Sequence, residues 1–304
     1  MQLTVCICTH DRPDRVQDCL AGLRVQTAAR GDFGVLLVDS GSTGETPLRL
    51  RRLAAEYPGA RLIRLDRPGL SAARNAGARA AATPYIAYID DDAIPAADWV
   101  ERILTAIAAA DSAAMFGGRI LPRWLAPLPP WWPPRLLGVL SLIVAEGAGE
   151  IGSPHLPFGL QPYGANLVVH TGTLLAMGGF DTAAGRRGNR LLSDEEIRLA
   201  HRLRGAGHRV RYDSTIVVEH QIPAERLRPE WLLDRLYCQG ISTVLTRRTL
   251  GCPASVWCEL PRRLAIAVLC APTALLPRRS GHLIGCRWRF AYAAGFVRAA
   301  LVRL

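Results

Sequence analysis

The sequence predicts an α/β fold, a mostly parallel sheet flanked by helices, followed by a helical and strongly basic C-terminal extension. Three observations carry this. Short β-rich runs alternate with helical patterns over residues 3–90, each run ends in polar residues, and the positive charge gathers beyond residue 220. Strand and helix in alternation build βαβ units with right-handed crossovers. In such sheets ligands bind outside the carboxyl ends of the strands.

The elements follow in order. "LTVCICT" opens the fold, and "RPDRVQDCLAGLRVQ" answers it with Val16, Leu20 and Leu23 on one helical face. "GVLLVDS" precedes the helical "ETPLRLRRLAAEYP", "ARLIRLD" precedes "SAARNAGARAA", and "YIAYID" closes the series. Thr9, Asp39 and Asp90 to Asp92 then fall at strand ends. In "LPRWLAPLPPWWPPRLLGVLSLIV" the prolines remove backbone donors, which predicts an irregular excursion. Trp124, Trp131 and Trp132 there read either as a plug at the base of the domain or as a loop facing an acceptor or a membrane. A helix from about Asp194 to Leu203, capped by "GAG", leads into a strand ending at His220. The predicted domains are 1–220, with halves at about 1–118 and 119–220, and the extension 221–304.

With 304 residues, 49% hydrophobic and 21% charged, the chain can bury a real core. "MQLTVCICTHDRP" lacks the basic head and long apolar centre of a secretory signal, so a cytoplasmic protein is expected. Eight cysteines without a C-x-x-C pair predict buried free thiols, not disulfides or zinc ligands. The net charge is +11 without one lysine, and nine of those charges lie in the last eighty-four residues. An anionic partner fits such a tail, as does a solvated face. The arginines stand among Leu, Trp and Pro and not in a recognised nucleic-acid motif, which argues against a nucleic-acid-binding protein.

"YIDDDAIP" places three carboxylates after an apolar run, where a cation or donor must compensate them. A hard divalent ion, Mn²⁺ or Mg²⁺, held by one or two of them and by a substrate diphosphate meets that need. Alternation along extended chain puts Asp90 and Asp92 on one side and Asp91 on the other. The alternative is an acidic turn or helix cap.

Four stretches in this order, "VCICTHDRPDRVQDCL", "LLVDSGSTGET", "RPGLSAARNAGARAA" and "PYIAYIDDDAIPAADWVE", resemble the family-2 glycosyltransferases of the GT-A fold. The likeness runs from about Leu3 to His220 and includes "GGFD". It implies transfer of a sugar from a nucleotide-diphosphosugar, with a lean to UDP, to a glycan or lipid-linked acceptor. By resemblance the nucleotide site maps to Thr9, Arg12, Asp39 and Arg74, the ribose to Asp90, the donor sugar to Asp91, and the metal to Asp92 with His220. Taken singly, Asp39 also reads as an Asx-turn, Arg74 as a solvated helix residue and His220 as a structural histidine. Inverting transfer needs a carboxylate base. The family's acidic pair maps to Glu195 and Glu196, with Glu196 as base and a register that could slip by one. Asp194, Gly164 and Asn166 fall where the family approaches sugar and acceptor. A retaining transferase, a nucleotidyltransferase and a non-catalytic scaffold are the competing readings.

In the tail, the apolar run from Leu264 to Pro277 is shorter than the ~20 residues that span a bilayer. Arg262, Arg263, Arg278 and Arg279 flank it, and Trp288, Phe290, Tyr292 and Phe296 interleave with arginine further on. That pattern predicts a protein peripheral at the inner face of the plasma membrane, on anionic lipid. Helices packed as ordinary core, or joined in a homodimer, are the alternative.

Overall fold

The computed structural model describes residues 1–109, 113–157, 159–186, 191–275 and 284–302. Arg278 and Arg279 of the tail, and residues 187–189 of "FDTAAGRRGN", lie outside that set. In chain order the elements are β1 (Leu3–Thr9), α1 (Pro13–Arg24), β2 (Phe33–Ser40), α2 (Thr46–Glu56), β3 (Arg61–Leu65), α3 (Leu70–Ala80), β4 (Tyr85–Asp90), β5 (Ala93–Pro95) and α4 (Trp99–Ala108). There follow β6 (Met115–Trp124), β7 (Ala148–Glu150), β8 (Leu167–His170), α5 (Thr171–Ala176), α6 (Glu195–Gly205), β9 (Val210–Ile222), α7 (Pro229–Thr249), α8 (Pro253–Cys270) and α9 (Ile284–Leu301).

The chain forms two compact units. One holds residues 1–123, 141–183 and 195–221, the other 124–140, 184–194 and 222–304. The second unit thus takes in two segments that precede residue 220.

In the first unit the sheet runs β3-β2-β1-β4-β8-β6-β9-β5, with β7 on β9. The strands β3, β2, β1 and β4 pair in parallel, as βαβ alternation requires. Beyond β4 the pairing turns antiparallel, since β8 meets both β4 and β6 in that sense and β5 and β7 so meet β9. The parallel part is thus four of the nine strands, because the later strands do not follow short helical crossovers. Leu3, Val5 and Ile7 of β1 are fully buried, and helix α1 lays Val16, Cys19, Leu20 and Leu23 against the sheet. Removing one such side chain, as in Ile7→Ala, costs about 2–5 kcal/mol.

Register fixes the site. Thr9 lies beside Asp39 and Cys8 beside Asp90, so three polar strand ends share one edge. On the antiparallel side His220 lies opposite Ala93, and the Gln221 amide donates to the Asp92 carbonyl at 2.8 Å.

Several boundaries differ from expectation. Strand β6 continues to Trp124 before the irregular excursion, and β9 runs to Ile222, two residues past His220. Helix α6 starts at Glu195 because Asp194 takes φ 80°, outside helical geometry. All eight cysteines are free, but Cys252, Cys258 and Cys286 are exposed, since they lie in or beside the C-terminal helices and not in the sheet. Of the excursion's tryptophans, Trp132 is buried while Trp124 and Trp131 are partly exposed.

In the second unit α7, α8 and α9 share a core of Val244, Val256, Leu260 and Phe296. Gly240 and Gly295 let α7 and α9 approach backbone to backbone: a Cβ at Gly240 would collide with the Tyr292 carbonyl, and one at Gly295 with the Tyr237 carbonyl. Phe296 is fully buried and Tyr292 stacks beside it, with Arg263 4.5 Å over the Tyr292 ring. These two aromatics therefore serve the core and do not form the lipid-facing row that their spacing suggested.

Candidate active site

The polar strand ends of the first unit converge on two clusters. In the first, Thr9 Oγ1 donates to Asp91 Oδ2 at 2.6 Å, and Arg12 Nη1 reaches Asp91 Oδ1 at 3.3 Å and Asp92 Oδ2 at 3.1 Å. His220 Nε2 lies 3.1 Å from Asp92 Oδ1. Asp91 and Asp92 are each 5% exposed, so the carboxylates stand largely out of water. Burial and then Asp92 push the Asp91 carboxyl up to about 6, against the pull of Arg12 and the Thr9 hydroxyl.

The triple aspartate splits by direction. Asp91 turns to Thr9, while Asp90, Asp92 and His220 bring one ligand atom each within 4.8 Å of one another. Two carboxylates and an imidazole make a donor set for a divalent cation such as Mn²⁺ or Mg²⁺, with room in the coordination shell for substrate oxygens. The residues fit the ion.

The second cluster centres on Arg74, which is 2% exposed on α3. Its Nη1 donates to Glu195 Oε1 at 3.0 Å and Glu196 Oε1 at 2.9 Å, and its Nη2 to Asp90 Oδ1 at 3.3 Å. Burial opposes the charge, but Glu196, Glu195 and Asp90 outweigh it and hold the guanidinium above its ordinary value. Both glutamates start α6, whose N-terminal dipole favours negative charge. Glu196 Oε1 also accepts from the Gly164 amide at 3.0 Å. Both hydrogen bonds of Glu196 thus fall on Oε1, and Oε2 has none among the described residues. Gly164 must be glycine here, because a Cβ would overlap the Arg74 guanidinium.

Asp39 stands apart at the end of β2. Its Oδ1 accepts from the Ser42 amide at 2.9 Å, the Asx-turn geometry, and its Oδ2 from Arg64 Nη1 at 3.1 Å. Arg64 went unnoticed in the sequence. It faces Asp39 because β2 and β3 pair in parallel with these two residues in register, and only the register reveals that.

Two expected substrate residues have hydrogen-bond partners within the protein. Asn166 is 1% exposed, and its amide accepts from Trp99 Nε1 at 2.9 Å while donating to the carbonyls of Arg119 at 2.9 Å and Ile216 at 2.8 Å. Both of its N–H donors are thus spent on backbone carbonyls. Asp194 belongs to the second unit, where its carboxylate accepts from Ser193 Oγ at 2.9 Å and Gln239 Nε2 at 3.0 Å.

Residues 4–128 match the family described as Glycosyl transferase family 2. Over 175 residues, 57% of this chain and 54% of the relative, the sequence is 30% identical to the glucosyl-dolichyl phosphate glucuronosyltransferase of Haloferax volcanii. The chain spans about half the length, or less, of the curated relatives it matches. Among solved structures, the mannosyltransferase PcManGT of Pyrobaculum calidifontis, in complex with GDP-Man and Mn²⁺, superposes with a TM-score of 0.62 at 18% identity, over 98% of this chain and 86% of that one. S. aureus TarS 1–349 in complex with UDP gives 0.55 at 14% identity, over 98% and 91%. These likenesses establish the GT-A fold.

Proposed function

Since residues 4–128 match the family-2 glycosyltransferases, we propose that this chain transfers a sugar from a nucleotide-diphosphosugar to a hydroxyl of a glycan or lipid-linked acceptor, with inversion at the anomeric carbon. The observation that carries the proposal is the pairing of two clusters in one unit: Asp90, Asp92 and His220 within ligating distance, and Glu196 held by Arg74 and Gly164. A divalent ion at the first cluster would neutralise the departing diphosphate. Asp90 connects the clusters, since Arg74 Nη2 donates to it.

The chain's own groups supply the remaining steps. Arg74 pairs with both glutamates, and the Gly164 amide fixes Glu196 Oε1, so Oε2 is the oxygen available to take the acceptor's proton. Glu195, with 4% side-chain exposure against 11% for Glu196, is the less accessible of the pair and acts as the positioning partner. Asp39, with Arg64 behind it, offers an acceptor to a nucleobase N–H at the far end of the sheet edge. Thr9 and Arg12 hold Asp91 and Asp92 in place.

The relatives differ in nucleotide, GDP-Man in one complex and UDP in another. A panel of UDP- and GDP-sugars with Mn²⁺, read by thermal shift and donor hydrolysis, tests the proposal. Stabilisation and hydrolysis that both need Mn²⁺ support it. Release of pyrophosphate instead of nucleoside diphosphate would mark a nucleotidyltransferase, and retained anomeric configuration a retaining enzyme; either would overturn this reading.

A further inference from the structure

We infer that the outward face of α8 docks on an anionic lipid surface, lying in the plane of the interface. The inference does not rest on the transferase reading. Along α8, Trp257, Pro261, Leu264 and Val268 recur at intervals of four, three and four residues, which puts them on one helical face. All four are exposed, Trp257 at 54%, Leu264 at 40% and Val268 at 71%, and Leu269 extends the row at 78%. The adjoining face carries Val256 and Leu260 into the core, and Glu259 reaches Arg247 and Arg263 from that side. The helix is thus apolar on two faces, and among the described residues only one of them packs into the core.

Charge selects the occupant. From Leu260 to the end the sequence holds eight arginines and no Asp or Glu. Arg262 is exposed at the edge of the apolar row, placed to keep its stem on the lipid and its guanidinium among headgroups. Arg287 is 3% exposed and donates its Nε to the Thr273 carbonyl, while neither Nη has a hydrogen-bond partner among the described residues. The stretch from Leu260 on therefore carries positive charge with no acidic residue of its own. A second copy would bring the same arginine excess to a self-complementary contact, where like charges oppose association. An anionic bilayer supplies both an apolar phase and the missing counter-charge. Crossing is ruled out among the described residues, since no helix is long and apolar enough to span a membrane.

The test uses the full chain and a Leu264→Glu/Val268→Glu variant. Both substituted side chains already face solvent, so the variant should keep the wild-type thermal melt. Co-sedimentation with phosphatidylcholine–phosphatidylglycerol vesicles should be strong at low salt, weak at high salt, absent with phosphatidylcholine alone, and reduced roughly tenfold or more in the variant. Equal binding by the two proteins overturns the inference. So does a wild-type dimer in analytical ultracentrifugation that the variant converts to monomer without any vesicle binding, which would assign the face to a second copy. A Mn²⁺-dependent thermal shift that persists in the variant separates this outcome from any failure of the transferase reading.

Discussion

One arginine in the sheet-based unit serves three carboxylates, and one carboxylate in the helical unit serves two arginines. Arg74 lies among Glu195, Glu196 and Asp90, with Asp91 and Asp92 close by on Arg12. Glu259 lies between Arg247, at 2.5 Å, and Arg263. Neither cluster balances its own charge: five carboxylates meet two arginines in the first, and two arginines meet one carboxylate in the second. Buried or half-buried charge without compensation is costly, so the sign of each surplus indicates what the region meets: a cation at the aspartates and an anion at the helices.

The strongest way to break the comparison is Asp92→Ala. If the carboxylate surplus exists to hold a divalent ion, Mn²⁺-dependent transfer should fall roughly 10³-fold or more with the fold retained. Mn²⁺ titration of the rate checks this, and near-normal turnover would leave the surplus unexplained. Next is Glu196→Gln, which keeps shape and removes basicity. Donor binding should survive while transfer drops roughly 10²–10⁴-fold, and Glu195→Gln should cost less. The reverse ranking in single-turnover rates would shift the base by one position.

A smaller effect comes from Gly164→Ala, which forces a methyl against the Arg74 guanidinium. Denaturant melts should show a loss of about 1–3 kcal/mol, together with slower transfer. Smallest is Glu259→Gln. Burial alone would raise the Glu259 carboxyl, but the hydrogen bond from Arg247 and the charge of Arg263 outweigh it and hold it below the ordinary glutamate range. A lowered folded value contributes stability above the unfolded value of about 4.3, and that contribution is lost as pH falls through the folded value. The variant should therefore melt lower at neutral pH, by about 1–2 kcal/mol, and match the wild type in acid. A difference that persists in acid would mean that Glu259 acts through packing and not charge.

Much of this was legible in residue order. The four parallel strands and their helices follow the alternation of periods, and the aspartates stand at a strand end because the apolar run stops there. What stayed hidden depended on pairing. Arg64 meets Asp39 through parallel register, and His220 reaches Asp92 because β9 pairs with β5. Asn166 looked like a sugar ligand because an amide after a glycine suits one, but three partners distant in sequence occupy it. The burial of Arg74 had no sequence signature either, since its charge is balanced by residues more than a hundred positions away. In the tail the spacing of aromatics and arginines was correct, yet the same spacing suits a lipid face and a packed core. Only the observed burial of Phe296 decides between them for that residue.

The contact of Gly240 with the backbone around Tyr292 has a consequence for biosynthesis. Helix α7 leaves the ribosome well before α9 exists, and the two backbones are made roughly 50 residues apart, on the order of 3–10 s of translation. During that interval the glycine notch of α7 and the side chains of Val244 and its neighbours lack their cover. Maturation of the helical unit therefore waits on α9, and a ribosome that stalls between the two helices leaves a nascent chain with an open apolar groove, a substrate for chaperones or proteases.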